Sequence, residues 1–376
     1  DIYFDEYNVG DIYGAGHISG TNGDGDRYGP LNGAPIAGVL RYSGTSTQTV
    51  ADWLQDAATD DVWTDEHRGR GIAYIVTKWT LNEHSADTWN KYTPSDIKAL
   101  VKGKLVYDPR ESQTIDDSAT WAWSDNPALC VADYLRDEVY GLGIAHSKID
   151  WDAVETAADG CDVSVSVPGS ATEKRYTCNG VLFGTDTHVT NINKILSSMN
   201  GTLSYVGGQY IVRAGIYQAP TVTLTEDDLV GGISIKTGAE RSDRFNTIKG
   251  IFLDPAQNYK TVEMPKVQLA TAVSRDNGEE LEREIALNMT NSSYMAQRIA
   301  HKLIQLSEHQ TVVTCPANLS ALQLSAGDRV SVSISDLGWS SKVLQVVSWI
   351  FSDEGGVNLT LLEDASTTYA DPAVSE

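Results

Sequence analysis

The chain has 376 residues, with 28 Lys plus Arg against 51 Asp plus Glu and a formal charge of −23. A face that grips nucleic-acid phosphates needs clustered basic residues that release counterions, so this balance argues against phosphate capture as the main task, while DNA that merely slides past remains allowed. An apolar fraction of 41% is that of a folded protein, and no apolar run approaches the roughly 18 to 20 residues of a membrane span.

At roughly 100 to 200 residues per domain, the length predicts two to four units. Residues 1–110 are rich in Gly, Tyr, Asp and Thr, with short apolar runs such as Ile72 to Val76 and Leu105 to Tyr107. Such punctuation predicts a β-rich, loop-heavy domain. One short helix is expected over 50–57, where Val50, Trp53 and Leu54 share a face, and 19–33 reads as an exposed loop. Opening on Asp1 rather than Met implies an internal portion of something longer.

Residues 111–220 have a different texture. Asp125 and Asn126 precede Pro127, which suits a first helical position, and Leu129, Ala132, Leu135 and Val139 then form one apolar stripe that Gly141 and Gly143 end. A second short helix follows Asp150. A third is expected where Asp186 caps and Val189, Ile192, Ile195, Leu196 and Met199 face one way before Gly201. Leu203 and Tyr205, then Tyr210, Val212 and Ala214, alternate around Gly207-Gly208, which predicts a hairpin because a two-residue glycine link accepts positive φ. This segment reads as a compact α+β domain.

From 221 to 365 the strand period dominates, interrupted by one long amphipathic helix capped by Thr290 or Asn291 and carrying Met295, Ala296, Ile299, Ala300, Leu303, Ile304 and Leu306. Strands are expected around 311–315, 330–334, 343–350 and 357–361, the last pair closed by residues 353–356. A β-barrel or sandwich with a single helix packed on it fits this pattern. The class is α+β, mainly β, and 366–376, small and polar, reads as a linker or tail.

Four cysteines, Cys130, Cys161, Cys178 and Cys315, are too few and scattered for a disulfide scaffold and are expected reduced and packed, although Cys161 and Cys178 could bridge the ends of one loop. No two histidines stand one helical turn apart, and no nucleophile elbow, phosphate loop or dinucleotide fingerprint occurs. The weak metal candidate is Asn22-Gly-Asp24-Gly-Asp26, where Asn22, Asp24 and Asp26 offer oxygens two residues apart as at the start of a calcium loop. Arg27 stands where that loop turns on Gly, and Gly33 where it needs Glu, so a hydrated acidic loop is the competing reading. Acid pairs for sugar-bond hydrolysis are available at Asp227-Asp228 and at Glu279, Glu280, Glu282 and Glu284. Nine Trp and 17 Tyr against five Phe suit interfaces, and Trp121, Trp123, Trp339 and Trp349 would serve subunit contacts, or equally strand and loop packing, or, in a sugar-binding adhesin, stacking platforms.

The segment from Trp121 to Gly143, with Trp123, Asn126-Pro127-Ala128, Asp133-Tyr134-Leu135 and Tyr140-Gly-Leu-Gly143, resembles the host-specificity tail-tip proteins of lambda-type bacteriophages, the protein J family. Further blocks fall in the same order: Gly103 to Arg110, Cys161-Asp162, Arg175 to Gly180, Asp243 to Gly250 leading to Asp254-Pro255, and Gly327 to Val330 before Leu337-Gly-Trp339. Together they cover roughly 100–365.

The resemblance implies a baseplate-hub-like fold of tail-tube-related β domains joined by a smaller α+β insert. It implies a homotrimer around the tail axis at the tip of a virion, assembled in the bacterial host cytoplasm, which continues or caps the tube and takes part in host attachment and DNA ejection. Implied partners are the distal tail protein, the tape measure and fibre modules, with the host receptor reached through longer C-terminal regions and DNA met only in transit. It brings no catalytic residues and no cofactors. A charge of −23 per chain agrees with a wall that lets phosphates slide, since repulsion acts over the roughly 8 to 10 Å that ordinary salt allows. The competing expectations are a tail-associated glycan or peptidoglycan hydrolase and a sugar-binding adhesin.

Overall fold

The computed structural model describes residues 2–4, 7–8, 26–28, 37–58, 62–79, 96–238, 244–352, 356–372 and 374. The chain forms two compact units, 1–103 and 104–376. Among the described residues no helix is long and apolar enough to cross a membrane.

In the first unit β1 (Ile2–Phe4) pairs with β2 (Tyr7–Asn8) and will pair with the last strand of the unit. β3 (Asp26–Tyr28), β4 (Ala37–Ser43), the short helix α1 (Asp52–Ala57) and β5 (Ala73–Trp79) follow, and β6 (Ile97–Ala99) closes on β1. β3, β4 and β5 make an antiparallel sheet, so 26–28, inside the stretch read as loop, are strand. Leu40, Ala51 and Val76 form a small core flanked by Tyr42, Trp53, Leu54 and Tyr74. The helix starts two residues later than Val50 because the backbone is still extended at Ala51, which is its N-cap.

The second unit begins with the ribbon β7 (Leu105–Val106) and β8 (Ala122–Trp123), followed by α2 (Pro127–Arg136). The Asn126 side chain accepts from Ala128 N at 3.1 Å and Pro127 occupies the first turn, as the residue types require. α3 (Trp151–Asp162) is capped by Asp150, which accepts from Ala153 N at 3.0 Å. The ribbon β9 (Ser164–Val167) and β10 (Ala171–Lys174) leads to α4 (His188–Ser197). Thr187, not Asp186, caps α4, because Asp186 is drawn to Lys194 at 2.6 Å. Val189 in its first turn is exposed, while Ile192, Ile195, Leu196 and Met199 are buried. β11 (Thr202–Val206) and β12 (Gln209–Arg213) form the expected hairpin, with Gly207 and Gly208 at φ +60° and +87°.

β13 (Val222–Leu224) and β14 (Ser234–Lys236) become the two edges of the terminal sheet. A separate sheet centres on β15 (Thr247–Asp254), with β16 (Lys260–Glu263) and β17 (Val267–Gln268) antiparallel to it. After α5 (Ala270–Arg275), β18 (Glu282–Leu287) pairs with β15 in parallel. The long helix α6 (Ser293–Glu308) is capped by Ser292, whose Oγ accepts from Met295 N at 3.2 Å, one residue beyond the expected caps.

β19 (Val312–Ala317), β20 (Arg329–Ile334), β21 (Trp339–Ser352) and β22 (Gly356–Glu363) complete the terminal sheet in the order β13-β20-β21-β22-β19-β14. All its pairings are antiparallel except β13 with β20. The strand path is open, so the mainly-β class holds but the sheet does not close into a barrel. β21 and β22 pair down to Ser352 opposite Gly356, and the link 353–355 lies outside the described residues.

Packing corrects one expectation. Met295, Ala296, Ile299, Ala300 and Ile304 of α6 join the core of α2, α3, α4 and β15, whereas the terminal sheet has its own core around Val330, Leu344, Leu359 and Leu361. The helix therefore packs away from the sheet that follows it. Each fully buried aliphatic side chain contributes roughly 1.5 to 3 kcal/mol, and a wide stripe gains most where helices and β15 can surround it.

Candidate assembly surface

β21 outruns its neighbour. It spans 14 residues, but β20 pairs with it only as far as Gln345, and Val346 is held by Gly327 and Asp328. Beyond that point, among the described residues, only β22 flanks it. A bulge between Val346 and Ser348 shifts the register there. Trp349 folds back, its indole N–H donating to Ala321 O at 3.1 Å, but Val347, Ile350 and Phe351 remain 54%, 60% and 54% exposed. An exposed apolar strand edge invites pairing with another chain, and contiguous apolar surface marks an interaction site.

A second apolar patch surrounds the end of α2 and the start of α4, with Val139, Tyr140, Val181, Phe183 and Val189 exposed. A hydrogen-bond relay holds these segments together. The Tyr134 hydroxyl bonds to His188 Nδ1 at 3.0 Å, and Asn191 Nδ2 donates to that hydroxyl and to Phe183 O, each at 3.1 Å.

Three of the candidate acids, Asp228, Glu280 and Glu282, are held by partners. Asp228 accepts from Thr225 N at 2.9 Å and from Ser320 Oγ at 3.0 Å, and the Thr225 backbone N–H leads in holding it below the usual carboxylate range. Glu280 pairs with Lys266 at 2.9 Å and Glu282 with Lys249 at 2.7 Å. Asp227 lies in an open groove of about 570 Å³ with Glu226, Ser335 and Trp339. There the Ser335 hydroxyl, 2.5 Å away, and its backbone N–H hold Glu226 low, the reverse of the raised acid that sugar-bond cleavage needs. An acid pair the sequence reading missed is Asp133 in the last turn of α2 and Asp137, the residue that caps its end. Burial raises Asp133; at Asp137 burial is outweighed by the Lys104 ammonium and by N–H donors of Tyr140 and Val139, giving about 2. Lys104 bridges both carboxylates, so the pair clamps the chain before β7 to α2.

Of the four aromatic candidates, Trp121 and Trp339 lie against the chain's own cations, and Trp123 is 39% exposed. Arg136 lies over Trp121 at 5.2 Å and Trp151 at 5.9 Å, with Tyr107 edge-on to Trp151 at 5.2 Å. Lys342 covers Trp339 at 5.0 Å. At Trp121 and Trp339 the chain's own cations thus compete for a ring face that a sugar would stack on. In the first unit a groove of about 540 Å³ is lined by Leu54, Trp63, His67, Tyr74 and Val76. Asn22 and Asp24 lie outside the described residues, and Asp26 opens β3 opposite Val39. Among the described residues no group of three or more His, Cys, Asp or Glu could hold a metal ion.

Basic residues supply the other feature that patterning did not reveal. Arg298 and Lys302, one turn apart on α6, are 1% and 0% exposed. Arg298 bonds Glu173 at 2.6 Å and Arg175 O at 3.1 Å, while Lys302 donates to the Tyr176 hydroxyl at 2.8 Å and lies 3.5 Å from Asp371. Asp371 also takes Arg175 at 2.8 Å. Residues 364–371 are thus a strap rather than a free linker: Asp364 binds Arg329 at 2.6 Å and Thr368 bonds His309 Nε2 at 2.6 Å.

Residues 189–349 match a family model described as a putative phage tail protein, a span from α4 to within β21. No curated protein matches the chain. Among solved structures, a chain of the virion of a native gene transfer agent particle is 14% identical, with 92% of this chain and 76% of that one covered and a TM-score of 0.56. The 43 kDa tail protein of prophage MuSo2 from Shewanella oneidensis is 12% identical over 69% of this chain and 70% of its own, with a TM-score of 0.38. A prophage tail protein from Listeria monocytogenes EGD-e is 14% identical over 52% and 56%, with a TM-score of 0.29. The chain is therefore similar in sequence, over residues 189–349, to phage tail proteins, and in fold to a component of a gene transfer agent virion.

Proposed function

We propose that the chain is a structural part of the tail of a phage or phage-like particle, and that three copies form a hub at the tail tip that continues or caps the tube. The observation that carries this reading is the tail-protein match over 189–349, which spans most of the terminal sheet. Its apolar overhang at Val347, Ile350 and Phe351 supports it, because a chain that works alone gains nothing from an uncovered hydrophobic edge. The distal tail protein, tape measure and fibre modules are the neighbours, and a host receptor is reached through regions outside this sequence. A charge of −23 keeps DNA in transit from sticking to the wall. Opening works as a population shift: receptor engagement elsewhere favours a second packing of the hub domains and frees the passage.

Cryo-electron microscopy of the intact particle tests this. A three-fold ring on the tail axis is expected, and particles bearing Ile350→Lys with Phe351→Lys should lose the chain from their tips while the isolated variant still folds. A chain found as an off-axis monomer would overturn the hub reading, as would normal incorporation of the double variant for the role of that edge.

A further inference from the structure

We propose that residues 364–371 form a two-ended latch, rooted in the terminal sheet at Asp364 and closed on the helical core at Asp371, which opens from the Asp371 end while the rest of the chain stays folded. Among the described residues, the unit 104–376 carries two separate apolar cores, one built by α2, α3, α4, α6 and β15 and one by the terminal sheet. The strap runs between them. At its root Asp364 Oδ2 accepts from Arg329 Nε of β20 at 2.6 Å, and the Arg329 guanidinium lies over Tyr369 at 4.6 Å. Midway, the buried Thr368 bonds His309 Nε2 at the end of α6. At the far end Asp371 Oδ2 accepts from Arg175 Nε and Nη2 at 3.1 and 2.8 Å, and Asp371 Oδ1 lies 3.5 Å from Lys302 Nζ of α6.

The two ends are unequal. Arg329 and Asp364 are almost fully buried, so parting them strands two charges in a dry site. The side chains of Arg175 and Asp371 are 18% and 24% exposed, so water takes over part of their solvation as they separate. Lys302 is buried, yet it stays hydrogen-bonded when Asp371 leaves, because the Tyr176 hydroxyl at 2.8 Å and Gly215 O at 3.4 Å also take its protons. Arg175 likewise keeps Gly160 O at 3.4 Å. The strap therefore lets go at Asp371 first.

Once Asp371 leaves, Thr368 and Tyr369 lose the anchor that follows them, and the clamp between α6 and β20 opens. The root at Asp364 still holds, and Arg213 of β12, paired with Asp328 at 2.8 Å just before β20, still tethers the sheet. The terminal sheet gains freedom against the helical core without either apolar core coming apart. In a tail hub the closed and open strap would supply the two domain packings. That use rests on the tail reading above; the latch itself does not.

Hydrogen–deuterium exchange of the purified full chain, read by mass spectrometry, tests this. In the closed strap the amides of Thr368 and Ala370 are protected by Ala365 O and Thr367 O at 3.1 and 3.3 Å. In Asp371→Asn they should exchange on the order of tenfold faster, as expected for the loss of a charge-assisted hydrogen bond, while amides of α2 and β15 keep the parent's rates. Raising salt to about 1 M should speed the same strap amides in the unaltered chain, because a partly exposed ion pair is screened and a dry one is not. Exchange that rises by one common factor throughout the chain would overturn the proposal, since the strap would then open only with global unfolding. Strap amides that respond to neither change would overturn it too. The salt measurement decides on the unaltered chain if the variant misfolds, and a selective strap response in a chain found outside any tail would sink only the use in a hub.

Discussion

The ammonium of Lys302, fully buried in α6, donates to the hydroxyl of Tyr176 at 2.8 Å, and that hydroxyl donates in turn to Gly215 O at 3.0 Å. One cation thus fastens the long helix to two segments distant in sequence.

The same burial makes the contact pH-dependent. Desolvation brings Lys302 down to about 8, with Asp371 opposing and Arg175 and Arg298 reinforcing the shift. An unfolded lysine titrates near 10.4. Between about 8 and 10 the unfolded chain binds a proton that the native state has lost, so this group makes stability rise with pH across that window; below it both states are charged and the penalty is whole. Lys302→Met should be at least as stable as the parent at pH 7 and should flatten the rise, which is on the order of 2 kcal/mol. Urea unfolding from pH 7 to 10 measures it, and equal slopes for both proteins would refute the assignment.

The ion pair of Arg329 with Asp364 anchors the strap, with side chains only 5% and 2% exposed. Arg329 also lies over Tyr369 at 4.6 Å and Tyr217 at 5.1 Å. Asp364→Asn strands a buried cation and should cost about 3 to 5 kcal/mol. Adding Arg329→Met should restore most of that, because the pair's own net contribution is small against its desolvation. Chemical denaturation of the two variants checks the order; a double variant no better than the single would contradict it.

Two glycines in the turn beyond α2 differ in kind. A Cβ on Gly141 would sit 1.8 Å from Tyr134 O, whereas Gly143 has room and is constrained by its φ of +62°. Gly143→Ala should cost about 1 to 2 kcal/mol, the ordinary penalty of a left-handed residue. Gly141→Ala should cost more than about 3 kcal/mol, since backbone must move to admit it. Melting curves that rank the two the other way would show that the turn yields more easily than its contacts suggest.

Much of the secondary structure was legible. Pro127 after Asn126, Asp150 before Trp151 and the paired glycines at 207 and 208 act on neighbours within a few residues, and the elements stand where those signals put them. Caps slipped where a competitor stood near: Asp186 prefers Lys194 and leaves the α4 cap to Thr187. The candidate acids were visible as residues but not as partners, because the lysines that pair with Glu280 and Glu282 arrive from other strands or segments. The pair Asp133 and Asp137 was missed, although their four-residue spacing was a readable signal.

The sequence by itself determined the mainly-β class, most of the helices, the hairpin and the net charge of −23, since each depends on composition or on spacing along a few residues. Tertiary structure alone decided that α6 joins the helices rather than the terminal sheet, that Arg298 and Lys302 lie inside and that 364–371 is a strap. Those outcomes turn on which surfaces meet when the chain closes over long separations, and local pattern carries no record of that choice.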